Sequence, residues 1–207
     1  MRVQSFAVVL LALLAAAPPA RAGIDHMVPY DSSGIWKRSN QEIVEYGLIA
    51  ASVGGALWEG GESRLGRTFW TSVDSSVAAG LVSQLMKVAF SRVRPRDSGP
   101  PPGNPNLWFK GNGNESFPSG EVTAVSSIVT PFMLEYGHDH PGVYALALLP
   151  VYDSIARVKA QAHWQTDVLA GFALGSGTAW LIHRSPNSPF ILQIMPHSIY
   201  VGIGKRF

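Results

Sequence analysis

Arg157-Val-Lys-Ala-Gln-Ala-His163-Trp-Gln-Thr-Asp167 is the stretch on which the reading of this 207-residue chain turns. Taken as helix, it places His163 and Asp167 four residues apart on one face. A carboxylate there accepts the proton of one imidazole nitrogen, fixes the tautomer and leaves the other nitrogen free to attack. Arg157, six residues upstream, offers a planar fork suited to phosphate oxygens. Alone, a histidine at a helix start beside a capping acid would fit the same spacing. Two earlier segments change that balance.

Lys87 and Arg94 stand seven residues apart, two turns on one face if the helix holds to its end. Two cations directly before a Gly/Pro loop suit a polyanion, although a solvated basic helix end would also be favoured by the helix dipole. Phe117-Pro118-Ser119-Gly120 opens the next helix. Its proline, hydroxyl and glycine leave backbone N–H groups open to an anion.

Taken together, Lys87-x6-Arg94-Pro95, Pro118-Ser119-Gly120 and Arg157-x5-His163-x3-Asp167 closely resemble the three-part signature of the type 2 phosphatidic acid phosphatase superfamily. That family spans lipid phosphatases, bacterial class A acid phosphatases and vanadium haloperoxidases. Order and spacing match across Lys87–Asp167, and Trp164-Gln165-Thr166 looks most like the secreted acid phosphatases. The resemblance implies an all-α helical bundle. It also implies that Lys87, Arg94 and Arg157 bind the phosphoryl oxygens, with Ser119 and the Gly120 N–H helping. His163 would form a phosphohistidine and Asp167 would orient it. Phosphoryl transfer needs positive charge around the equatorial oxygens and an in-line nucleophile, so three cations suffice and neither metal nor cofactor is expected.

Two positions depart from the family pattern. Ala156 stands where a serine usually precedes the arginine, with Ser154 nearby. Glu121 replaces the histidine that normally follows Pro-Ser-Gly, protonates the leaving oxygen and then activates water. Glu121 can do this only if it holds a proton at working pH. Burial raises a carboxyl pKa and neighbouring cations lower it, so sequence leaves the sign open. The expected function is hydrolysis of a phosphomonoester or of a lipid or isoprenoid (di)phosphate, with Glu121 as the acid–base group. The alternative is an impaired member that binds phosphorylated ligands or serves as an envelope interaction protein. A haloperoxidase carrying vanadate in the same cradle is a third reading, disfavoured by the missing histidine and small size.

Composition is consistent with one domain holding its own core. Arg2, the apolar run Phe6–Ala17 and Pro18-Pro19-Ala20-Arg21-Ala22 read as a signal peptide over residues 1–22, ahead of a helical domain over 23–207. That places the mature chain outside the cytoplasm, in the periplasm or associated with a membrane of the cell envelope. Of 16 basic and 14 acidic residues, removal of the leader takes Arg2 and Arg21 and no acid. Nothing then favours nucleic acid. The absence of cysteine excludes disulfides, thiolate catalysis and Cys-based metal sites.

Helical character is expected over Asn40–Trp58, with Gly54, Gly55, Gly60 and Gly61 breaking it, and over Arg67–Phe90, Ser119–Tyr136, Val143–Arg157 and Asp167–His183. Residues 97–116 form a long irregular connection in which Trp108 and Phe109 either grip a lipid tail or pack the loop down. His138-Asp-His140 is a metal-binding candidate, better read as a solvated turn. Pro189–Met195 and Ser198–Gly204 alternate enough to suggest a short hairpin. The apolar helices are interrupted by polar residues, so a packed core is favoured over membrane spans, with peripheral or integral membrane attachment as the alternative.

Overall fold

The computed structural model describes residues 23–111, 113–185, 190–195 and 198–203; the expected signal peptide and its cleavage site lie outside them. Five α-helices dominate: α1 Arg38–Glu59, α2 Arg64–Phe90, α3 Gly120–Tyr136, α4 Leu148–Lys159 and α5 Gln165–His183. Short 3-10 turns at Gly34–Trp36, Pro95–Asp97 and Pro141–Ala147 join them. At the end, the backbone of β1 (Phe190–Met195) runs antiparallel to β2 (Ser198–Ile203), with Phe190 opposite Ile203. No described helix is long and apolar enough to cross a membrane.

The core centres on α3, which packs against both α2 and α5. Its residues Val122, Val125, Ile128 and Val129 are all buried, as are Ser126, Ser127 and Thr130 between them. Such small side chains allow close helix approach. A methyl at Gly175 of α5 would sit 2.3 Å from the Thr123 carbonyl oxygen, so no larger residue fits there. Ser72 of α2 ties to α3 by donating to the Ile128 carbonyl at 2.9 Å.

Gly54 and Gly55 do not break α1, contrary to expectation. Gly55 is instead a packing notch: a Cβ there would lie 2.5 Å from the Phe69 ring of α2. The break comes at Gly60, whose φ of 68° is the left-handed conformation that favours glycine. α2 then begins at Ser63, whose hydroxyl accepts from the Gly66 amide at 2.8 Å. It stops at Phe90 because Ser91 turns left-handed (φ 40°).

The irregular segment after α2 is tied down rather than loose. Val93 donates to the Leu107 carbonyl (3.0 Å), Ser116 to that of Arg92 (3.0 Å) and Phe109 to that of Phe90 (2.8 Å). Residues 91–93 therefore run between the two arms of the loop, and this threading builds one wall of the site.

Candidate active site

Each predicted phosphate-binding side chain arrives from a different element. Lys87 points from the last turn of α2, almost fully buried, and its Nζ donates to the Glu115 carbonyl at 2.7 Å. Burial, reinforced by the neighbouring Arg94 charge, pushes its pKa down to about 8. Arg94 is not on the same helix face as Lys87. It lies four residues past the end of α2 in extended backbone, and Nη1 donates to the Ala162 carbonyl at 3.5 Å. The two cations converge because the chain turns at Ser91, not because of helical spacing.

Arg157 stands in the last turn of α4, buried, donating from Nη1 to Gln41 Oε1 at 3.1 Å. Its Nε is buried with no partner. Burial holds both Arg94 and Arg157 below the ordinary arginine range, and the charge of Arg94 adds to the effect on Arg157. Ser119 caps α3 without using its side chain; the hydroxyl is fully buried and also without a partner. Gly120 opens the first turn of α3, whose early amides have no acceptor within the helix. A Cβ there would lie 3.4 Å from Lys87 Cε, an ordinary packing distance that sets the lysine stem against the helix start.

His163 lies before α5, not on it. The helix starts at Gln165 with Trp164 as its extended N-cap, and Asp167 occupies the third helical position. Its carboxylate turns back to accept from the Trp164 amide at 2.8 Å. The imidazole is consequently held another way. Nδ1 is 2.7 Å from the Ser116 carbonyl and 3.8 Å from Asp167 Oδ2. A carbonyl only accepts, so Nδ1 carries the proton and Nε2 keeps its lone pair. Burial dominates the ring's equilibrium and drives its pKa down to about 4, leaving a neutral histidine near pH 7.

Asp167 is supported by residues that the spacing argument did not single out. Arg92, fully buried, donates to Asp167 Oδ1 at 2.5 Å and to Asp25 Oδ2 at 2.6 Å. Its guanidinium is also stacked 4.2 Å from the centre of the Trp108 ring. The Ser116 hydroxyl donates to Asp167 Oδ2. Burial opposes the Asp167 charge, but His163, Arg92 and Ser116 together hold it below the usual carboxylate range. Asp25 binds the Thr166 amide at 2.8 Å and so pins the segment before α1 to the start of α5. The signal the sequence offers for Arg92 is a second arginine two residues before Arg94, in Arg92-Val-Arg94-Pro95.

Glu121, on the first turn of α3, lies between two arginines. Arg38 of α1 donates to Oε2, and Arg157 Nη2 is 3.5 Å from Oε1. Of the remaining candidates, Trp108 packs against Phe90 and Phe117 beside Arg92, while Phe109 is exposed. His138 is solvent-exposed and Asp139 is taken by Arg64 at 2.6 Å. No group of three metal-ligating side chains occurs among the described residues.

A family model described as the PAP2 superfamily matches residues 70–190, more than half of the chain and all three segments of the site. The chain belongs to that superfamily. It is 34% identical over 117 residues to a lipid A 1-phosphatase of Rhizobium etli, covering 55% of this chain and 47% of that protein. A lipid A 1-phosphatase of Rhizobium johnstonii is 35% identical over 104 residues, covering 48% and 40%. One of Porphyromonas gingivalis is 33% identical over 91 residues, covering 43% and 17%. This chain therefore spans less than half the length of these curated relatives. No solved structure matches it.

Proposed function

We propose that the chain is a phosphatase acting on a phosphorylated lipid, transferring the phosphoryl group to His163 Nε2 and then to water without a metal. The observation that carries this reading is the pair of orphaned donors at the site. The Ser119 hydroxyl and Arg157 Nε are buried, lack partners and belong to the same cluster as Lys87 and the neutral His163. Buried donors are normally satisfied. A tetrahedral oxyanion would satisfy both, and three cations would neutralise its charge.

The lipid carrier is supported by the names of the relatives and by apolar surface. Val77, Leu81, Leu85 and Val88 form an exposed row on α2, and Ile43, Tyr46, Val53 and Leu57 another on α1. A groove of about 730 Å³ between the segment before α1, α4 and α5 is lined largely by apolar side chains, including Val28, Ile155, Val168 and Leu169. These features suit contact with a membrane surface in the cell envelope, where a chain exported by a signal peptide at residues 1–22 would work.

Glu121 takes the acid–base role in this reading, giving a proton to the leaving oxygen and later receiving one from the attacking water. Its contact with Arg38 and Arg157 favours a second reading, a site that binds phosphorylated ligands without turnover. Phosphate release from an aryl phosphate, an isoprenoid diphosphate and a lipid A 1-phosphate, from about pH 4 to 8, separates the two. Release that vanishes in His163→Ala supports the phosphatase. Absence of release with vanadate still bound supports the binding protein.

A further inference from the structure

One buried acid is not used by the site just described. Asp153 is 1% exposed and neither carboxyl oxygen has a hydrogen-bond partner. A carboxylate in that position, without a donor, is costly. Arg157 presents the matching anomaly in its buried, unpartnered Nε. Both residues belong to α4, four positions apart, with the acid on the N-terminal side, the order in which such pairs attract best. Yet no hydrogen bond joins them. The Arg157 guanidinium reaches to Gln41 and Glu121 instead.

We infer that Asp153 and the bound oxyanion compete for Arg157, so that Asp153 is a positioning residue whose ionisation withdraws this guanidinium from the anion. The inference rests on the reading of Arg157 as a phosphate ligand. A neutral Asp153 makes no claim on Arg157 Nε, which is then free for a phosphoryl oxygen. An ionised Asp153 is a buried charge that needs a donor, and Arg157 Nε is the unpaired donor one turn away. One guanidinium nitrogen cannot serve both acceptors at full strength.

The groups facing Asp153 set where the exchange occurs. They are Glu121 from α3, Glu45 and Arg38 from α1, and Arg157 and Tyr152 on α4 itself. Burial first, then the Glu121 charge, push the Asp153 carboxyl up to about 7. Below that value the carboxyl is neutral and the site accepts its anion; above it the carboxylate holds Arg157 and anion affinity drops. Lys87, at about 8, loses its charge at higher pH and produces a second, separate decline.

Sulfate is a suitable probe because it stays a dianion across the range, whereas phosphate changes charge within it. Its affinity for the full chain is measured by calorimetry from pH 6 to 8, alongside Asp153→Asn and Asp153→Ser. The expected wild-type result is a loss of about tenfold over this interval, the usual size of a coupling between neighbouring sites. Both variants, which cannot ionise, are expected to hold their affinity until the Lys87 decline begins. Two substitutions of different size separate lost charge from a packing defect. Variants that weaken in parallel with the wild type overturn the inference, as does a wild-type chain that binds no sulfate at any pH. Sulfate binding with the expected pH dependence but no phosphate release would uphold this inference and overturn the catalytic reading alone.

Discussion

Arg38 and Glu121 are 83 residues apart in sequence and joined by a hydrogen bond beside the proposed phosphate site, guanidinium to carboxylate. The acid that stands in the family's histidine position is thus held by an arginine from the first turn of α1 as well as by Arg157. This contact determines what the substitution of histidine by glutamate does to the chemistry, and it supplies the first test.

Glu121→Gln preserves shape and hydrogen-bonding reach but cannot transfer a proton. Turnover is expected to fall by about a hundredfold or more, the usual contribution of general acid–base catalysis. Vanadate should bind at least as tightly, because the neutral amide places no negative charge opposite the oxyanion. Restoring the family residue with Glu121→His should recover part of the rate. Steady-state kinetics with vanadate inhibition checks all three outcomes, and unchanged turnover in the glutamine variant would remove Glu121 from the reaction.

Arg92→Ala should be among the most destabilising single substitutions. It leaves Asp25 and Asp167, both nearly inaccessible, without their shared counter-charge. Breaking one side of a buried ion pair costs about 3–5 kcal/mol. The urea midpoint should fall accordingly. Arg92→Lys should recover little of it, since one ammonium cannot reproduce the fork that reaches two carboxylates, Thr166 and the Pro105 carbonyl.

Activity should be bounded by His163 on the acid side and decline in two steps on the alkaline side, the first as Asp153 ionises near 7. His163 must be neutral to attack, so the rate falls on the acid side as pH approaches its value of about 4. Lys87 must be charged to bind phosphate, so the rate falls again on the alkaline side near 8. Lys87→Arg should move the upper limit to higher pH in a profile of kcat/KM, while Lys87→Met should raise KM throughout.

Stability should depend on pH through two opposing groups. The folded pKa of His163 lies below its ordinary 6.5, so the unfolded chain binds more protons between about 4 and 6.5 and stability falls as pH is lowered through that window. The folded pKa of Asp153 lies above its ordinary 3.8, so stability falls as pH rises from 3.8 towards about 7. Asp153→Asn removes the second slope. Its urea midpoint should therefore climb more steeply between pH 4 and 6.5 than that of the wild type.

Leu81, Leu85 and Val88 project from α2 into solvent. Replacing all three with serine should reduce co-sedimentation with phospholipid vesicles several-fold, at about 25 cal/mol per Å² of apolar surface withdrawn from lipid contact. Turnover of a soluble aryl phosphate should not change. Equal vesicle binding by both proteins would rule out this face as a membrane contact.

The sequence singled out Lys87, Arg94, Ser119, Gly120 and Arg157 as proposed phosphate ligands, and His163 as the proposed nucleophile, by residue type and order rather than by the local geometry assumed for them. The reasons given for two of them were wrong in detail. Arg94 is beyond the helix and His163 before one, because Ser91 and Trp164 adopt non-helical backbone that residue type alone does not specify. Arg38, Asp25 and Arg92 were missed for a different reason. Their partners are 83, 141 and 75 residues away, a separation across which periodicity carries no information. The helices themselves were legible within a few residues, except where Gly55 served packing rather than a break.

The bond between Asp25 and Thr166 also imposes an order of events on the making of the molecule. Thr166 follows Asp25 by 141 residues, so at ordinary synthesis speeds Asp25 waits roughly seven to thirty seconds for its partner to emerge. Until then Arg92 lacks both the carboxylate of Asp167 and the closed back wall, and His163 has not been made. A nascent chain that has reached Arg94 holds two of the proposed phosphate ligands but has no nucleophile. On the proposed reading, the hydrolytic centre is assembled only once Asp25 and Thr166 meet, so a chain still short of Thr166 lacks it.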